Sequence, residues 1–184
     1  MALRPPVGDG GHCAPPGHRE VRGGIAAGLL ALALLPAAAP ASPATELEDL
    51  RDREAIRQLL IDYGATIDAR DFDAFGRLFA REGEYVSGPG LVPRGSAAIA
   101  ASMKAVFASN PSGVGEPNFH VLANPQVTVT GDTASARSMG LFVAPGADGK
   151  LQILIAARYE DALVREDGQW RFARRKVHGL SAKR

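Results

Sequence analysis

Beyond residue 44 the chain carries only two histidines, His120 and His178. An imidazole titrates near neutral pH, so it can take a proton in one step and release it in the next. It serves as a general base when a carboxylate fixes its tautomer and stabilises the imidazolium that forms. Asp68, five residues after Tyr63, is a candidate carboxylate near a helix end. Arg175 stands in the basic run Arg171, Arg174, Arg175 and Lys176; a guanidinium there could stabilise negative charge on a leaving group or an enolate. Tyr63 could donate a proton to a leaving oxygen. Read singly, each residue also has a plain structural role: Asp68 as a polar helix end, His120 as a strand histidine bonded to a carbonyl, Arg175 as a solvated charge, Tyr63 as a core residue. His178 is a further pocket residue only if the last strand carries a bulge, and Asn124 serves the turn before Pro125.

Other chemistries lack their residues. There is one cysteine, Cys13, and no His-x3-His or Cys pair with metal-ligand spacing. The GPG at 88–90 is not followed by the Lys-Ser/Thr and helix of a phosphate loop. No serine sits in a strand-to-helix elbow motif. No metal and no cofactor are therefore expected. A net charge of +1 gives no electrostatic reason to expect nucleic acid or an anionic membrane as partner.

The elements that must position these residues follow from hydrophobic spacing. Leu47, Leu50, Ile56, Leu59, Leu60, Tyr63 and Ile67 recur at helical intervals, so a helix runs from a Thr45–Glu48 capping box to about Ala69. Gly64 interrupts it and marks a close approach. Asp71 caps a short second helix with Phe72, Phe75, Leu78 and Phe79 as its apolar stripe. Glu84–Ser87 is a short strand. Ser96 caps a third helix to about Ser109, with Ile99, Met103, Val106 and Phe107 inward. Strands follow at 119–130, broken near Asn124-Pro125, at 133–143, and in a hairpin from Leu151 to Val177. Asp167-Gly168 is its turn, because a primed turn needs positive φ. Alternation places Trp170, Phe172 and Arg174 on one face and Ala173, Arg175 and Val177 on the other. Helices first and strands after argue for an α+β domain, with helices on one face of a bent sheet.

The first 44 residues read differently. Gly23–Leu35 is an uncharged apolar run preceded by Arg19 and Arg22 and followed by PAAAPASPA. It is short for a membrane span and fits a secretory signal peptide cut after Ala41 or Ala44. The expected organisation is a leader, 1–44, and one domain, 45–184, exported to a periplasmic or extracellular space with no membrane attachment after cleavage.

Tyr63-x4-Asp68, the run Asp71–Phe79, His120 with Asn124, Arg158-Tyr-Glu-Asp161 and Arg165–Arg175 together resemble the SnoaL-like branch of the nuclear transport factor 2-like superfamily. The resemblance spans roughly Leu47 to Val177. It implies a cone-shaped α+β barrel, three N-terminal helices packed on a strongly bent mixed or antiparallel sheet, enclosing an apolar cavity, in a homodimer or homotrimer. Within that branch the pattern is similar to three lyases: scytalone dehydratase, bile-acid 7α-dehydratase and hexachlorocyclohexane dehydrochlorinase. Their His–Asp pair falls on His120 and Asp68, a pocket arginine on Arg175, and a pocket tyrosine on Tyr63. The dehydrochlorinase has lysine in place of Tyr63, so the pair carries over while any one member's substrate does not. The reading is a cofactor-independent lyase or isomerase of a small hydrophobic cyclic compound. The rival of a different class is a non-catalytic small-molecule-binding module of the same fold. A hydrolase is the third, and it would be favoured by an aspartate-arginine-aspartate network that the sequence does not display.

Overall fold

The computed structural model describes residues 43–90, 92–110 and 114–180. The proposed leader lies almost wholly outside them. The elements are α1 (Pro43–Asp68), α2 (Phe72–Arg77), β1 (Phe79–Ser87), α3 (Ser96–Ser109), β2 (Phe119–Thr130), β3 (Thr133–Pro145), β4 (Leu151–Glu166) and β5 (Gln169–Gly179). The five strands form one sheet in the order β1-β5-β4-β3-β2. β1 runs parallel to β5, and every other neighbouring pair is antiparallel. The sheet is therefore mixed and open, with β1 and β2 as its edges.

α1 lies against the inner face. Ile56, Leu60 and Ile67 bury their side chains with Phe75, Phe79 and Phe172 in one core cluster. Two polar ties fix the helix on the sheet. The Arg53 guanidinium donates to the Val127 carbonyl at 2.6 Å, and the Trp170 indole donates to Asp52 at 3.1 Å. Asp52 also accepts from Arg165 at 2.6 Å. That hydrogen bond is the main reason its carboxyl sits below the usual aspartate range. Leu47 and Leu50, expected inward, are exposed.

Several boundaries differ from the sequence reading. α1 opens at Pro43, so Thr45 lies inside the first turn instead of capping it. Phe79 begins a strand instead of ending a helix stripe, because it pairs with Phe172 of β5. Gly95, at φ 76°, takes the cap position before α3, and Ser96 is the first helical residue. Gly95 donates its N–H to the Gly83 carbonyl at 2.8 Å, which ties the start of α3 to β1. Val106, expected inward, is half exposed. The Asp71 cap is as expected: its carboxylate accepts from the Ala74 N–H at 2.8 Å. Asp167 and Gly168 both have positive φ, at 51° and 74°, as a primed hairpin turn requires.

Bulges bend the strands. β2 shifts register between Ala123 and Gln126, where Asn124 has φ 51°. β5 shifts at Ala173: Ala162 faces Arg174 while the next residue, Leu163, faces Phe172. An extra residue on one strand reverses the side on which its later residues project. Phe172 and Arg175 therefore share the inner face, and Arg174 is exposed. This corrects the simple alternation, which put them on opposite faces.

Candidate functional site

Asp68 is the last residue of α1. The chain stops there in a left-handed cap: Arg70 has φ 59°, its N–H bonds to Ile67 O, and the Asp71 N–H bonds to Thr66 O, each at 2.9 Å. A helix C-terminus is a mildly unfavourable place for a carboxylate, since the helix dipole is negative there. The compensation comes from β2. One Asp68 oxygen lies 2.6 Å from His120 Nδ1, and the other accepts from the His120 backbone N–H at 2.8 Å. Gly64, one turn earlier, allows this approach: a Cβ there would lie 3.0 Å from the Cβ of His120.

With Nδ1 engaged, Nε2 is the ring nitrogen left to act. The imidazole lines a cavity of about 510 Å³ whose apolar wall includes Ile67, Phe72, Met103, Phe142 and Ile155. The Phe142 ring lies 4.8 Å from it, centroid to centroid. At the rim, Arg70 donates to Glu116 and to Asn118, both at 2.7 Å, and its guanidinium covers the Phe107 ring. A second cavity of about 400 Å³ touches the other side of the dyad and is lined by Leu60, Gly64, Asp68, His120 and Tyr159.

Tyr63 meets the first cavity with its hydroxyl 3.0 Å from that of Tyr85, which also lines it. Its ring stands edge-on to His120. Burial, and then the neighbouring Tyr85, push the Tyr63 phenol well above its ordinary range, with Arg175 opposing. It is a protonated donor at any ordinary pH.

Arg175 is placed elsewhere than the sequence reading assumed. It lines neither cavity. It lies behind Tyr63 with none of its side chain exposed, its guanidinium 3.8 Å from the Tyr63 ring centroid and 4.2 Å from that of Tyr159. Its charged neighbour is Asp161 of β4, with Nε 3.5 Å from Oδ1. Burial raises the Asp161 carboxyl to about 6 against the pull of Arg175. The structure thus sets His120 and Tyr63 on the first cavity, with Asp68 holding His120 from the side of the second, and places Arg175 behind the Tyr63 ring. His178 lines neither cavity even though β5 is bulged; it faces Glu160 at 3.2 Å. Tyr85 has no signal in the sequence reading, and Asp161 enters it only as the end of the Arg158–Asp161 motif, with no role of its own. Tyr85 lies in a strand whose irregular start hides its alternation, and Asp161 falls opposite Arg175 only because of the bulge at Ala173. Among the described residues, no three His, Cys, Asp or Glu side chains converge as metal ligands.

An open mixed sheet with helices against its inner face and a dyad-lined cavity between them defines the NTF2-like, cystatin-like class of α+β proteins. The SnoaL-like domain family model matches residues 48–176, and the chain belongs to that family. The uncharacterised protein Rv2910c of Mycobacterium tuberculosis is 33% identical over 130 residues, 69% of this chain and 84% of that protein. Among solved structures, an NTF2-like protein with a cystatin-like fold from Novosphingobium aromaticivorans superposes with a TM-score of 0.66 at 30% identity, covering 76% of this chain and 89% of its own. A protein from the same bacterium provisionally assigned as a scytalone dehydratase gives a TM-score of 0.60 at 22% identity, covering 76% and 89%; at that identity the likeness concerns the fold alone.

Proposed function

We propose that this protein is a cofactor-independent lyase or isomerase that removes a proton from a small hydrophobic cyclic compound and expels a leaving group, as a dehydratase or dehydrohalogenase does. The observation that carries the reading is the double grip of Asp68 on His120 at the wall of an apolar cavity. A carboxylate on Nδ1 leaves Nε2 basic and faces the imidazolium once it forms. His120 is the base, Asp68 its orienter, and the Tyr63–Tyr85 couple donates to the departing group. Arg175 contributes from behind Tyr63. The apolar wall suits a hydrocarbon ring and excludes water from the proton transfers.

Two further parts belong to the same proposal. The protein is exported after cleavage of its N-terminal leader; a cut after Ala41 would leave α1 whole. It also assembles as a homodimer or homotrimer. Phe119 and Ile153 flank Val143 on adjacent strands, are exposed, and form with it an apolar strip. Such strips mark association surfaces.

The test is to incubate the purified protein with a panel of cyclic alcohols, halides and ketones and to follow the products by mass spectrometry beside His120→Ala and Asp68→Asn. Loss of water or hydrogen halide, or a double-bond shift, by the parent alone supports the lyase. Retention of one unchanged ligand by all three proteins would mean that the cavity only binds.

A further inference from the structure

Arg175 brings a positive charge into a place without solvent. None of its guanidinium nitrogens, and neither oxygen of Asp161, has a hydrogen-bond partner among the described residues. A buried cation needs compensation. Here it comes from three ring faces, those of Tyr63, Tyr159 and Phe172, and from one carboxylate at ion-pair distance. The arrangement follows from the sheet register: Tyr85, Arg175, Asp161 and Ala136 stand side by side on four adjacent strands. The titratable groups at the guanidinium are thus Tyr63 from α1 and Tyr159 and Asp161 from β4, with Tyr85 of β1 its neighbour in register.

A cation over a phenol ring stabilises the phenolate more than the phenol, because the phenolate spreads its charge into the ring. Of the two tyrosines closest to Arg175, Tyr63 is the one whose hydroxyl meets a second cavity-lining hydroxyl. We propose that Arg175 and Asp161 are a positioning pair that sets the acidity of the Tyr63–Tyr85 couple, acting through the Tyr63 ring and not on the substrate. This rests on the reading of that couple as proton donor. In the elimination, the substrate C–H bond breaks and its proton goes to His120. The electron pair forms the new double bond, and the bond to the leaving group breaks. Tyr85 gives its proton to the departing atom and takes one from Tyr63, whose negative charge then faces Arg175. Once product has left and water re-enters the cavity that His120 and Tyr85 share, the imidazolium gives its proton through that water to Tyr85, which passes its own to Tyr63, and the cycle closes without an external reagent. Ionised Asp161 cancels part of the field of Arg175, so the carboxylate restrains the acidity that the guanidinium creates.

The chain has three tyrosines, and all of them sit at this cluster. The experiment replaces tyrosine by fluorotyrosine throughout the full chain, which brings phenol titration into a milder pH range, and follows the three signals by fluorine NMR. Tyr159→Phe and Tyr85→Phe assign them. In the double variant Arg175→Met with Asp161→Asn, which leaves no lone buried charge, the Tyr63 signal should titrate at higher pH, its acidity constant reduced about tenfold. In Asp161→Asn alone it should titrate lower than in the parent. An unchanged Tyr63 titration in a folded double variant overturns the proposal. Because the readout needs no turnover, a protein that proves inactive but shows the expected shift would reject the lyase reading and leave the Arg175 effect standing.

Discussion

Asp68 holds His120 at two points, the ring Nδ1 at 2.6 Å and the backbone N–H at 2.8 Å, across a gap of 52 residues in sequence. A single contact would fix a tautomer. The second also fixes the height of β2 against the end of α1, so ring and strand are set by the same carboxylate.

Asp68→Asn tests the distinction between holding and catalysis. The amide keeps an oxygen for the backbone N–H but loses the charge that stabilises the imidazolium. Turnover should fall about a thousandfold, with KM little changed, and the melting temperature should move little because both side chains are partly exposed. Steady-state kinetics beside thermal melts would check this. An equal loss in KM would point to a binding role instead.

Gly64→Ala probes the spacing. Alanine in a helix interior gains up to about 1 kcal/mol over glycine, yet its Cβ would press on the His120 Cβ at 3.0 Å. The expected outcome is a net stability change within about 1 kcal/mol and a turnover loss of at least about tenfold. Denaturant titration and kinetics on the same preparation separate the two effects.

How far this site could be read from the sequence depended on which residues were asked. The helices, the Asp71 cap, the break at Asn124-Pro125 and the Asp167-Gly168 turn all follow from local spacing and turn chemistry. The approach of Asp68 to His120 does not, because nothing periodic links a helix end to a strand 52 residues later; only the resemblance to related lyases joined them. The environment of Arg175 is hidden in the sequence for a specific reason. Counting outward from a two-residue turn pairs Glu166 with Gln169 and Leu163 with Phe172, and the same count pairs Asp161 with Arg174. One bulged residue, Ala173, moves the partner to Arg175 and turns that side chain inward. Bulges leave little trace in composition, so strand parity past them is invisible from sequence.

The apolar strip of Phe119, Val143 and Ile153 gives a prediction about assembly. Ile153 is 58% exposed and lies beside Val143, which pairs in turn with Phe119. Ile153→Asp would place a charge in the middle of any interface formed there, where desolvation without a partner is costly. The parent should sediment as a dimer or trimer and the variant should dissociate at least about tenfold more readily. A monomeric parent would remove the assembly proposal.

Asp161 should leave a mark on the pH dependence of stability. Its carboxyl is raised from 3.8 to about 6, with burial as the leading cause. The folded state therefore keeps this proton over a range in which the unfolded state has lost it. Stability from this group is fully present below about pH 4 and is lost as pH rises through about 6. A rise of that size corresponds to an effect on the order of 3 kcal/mol. Asp52 works in the opposite sense. Its carboxyl is lowered by the Arg165 hydrogen bond, so its contribution is present above its unfolded value and is lost as pH falls through the folded one. Denaturant melts across this range should show the parent losing stability between about pH 4 and 6 relative to Asp161→Asn, which lacks the ionisation. If the two proteins run parallel through that interval, the carboxyl titrates normally, and the wall behind Tyr63 is wetter than its geometry indicates.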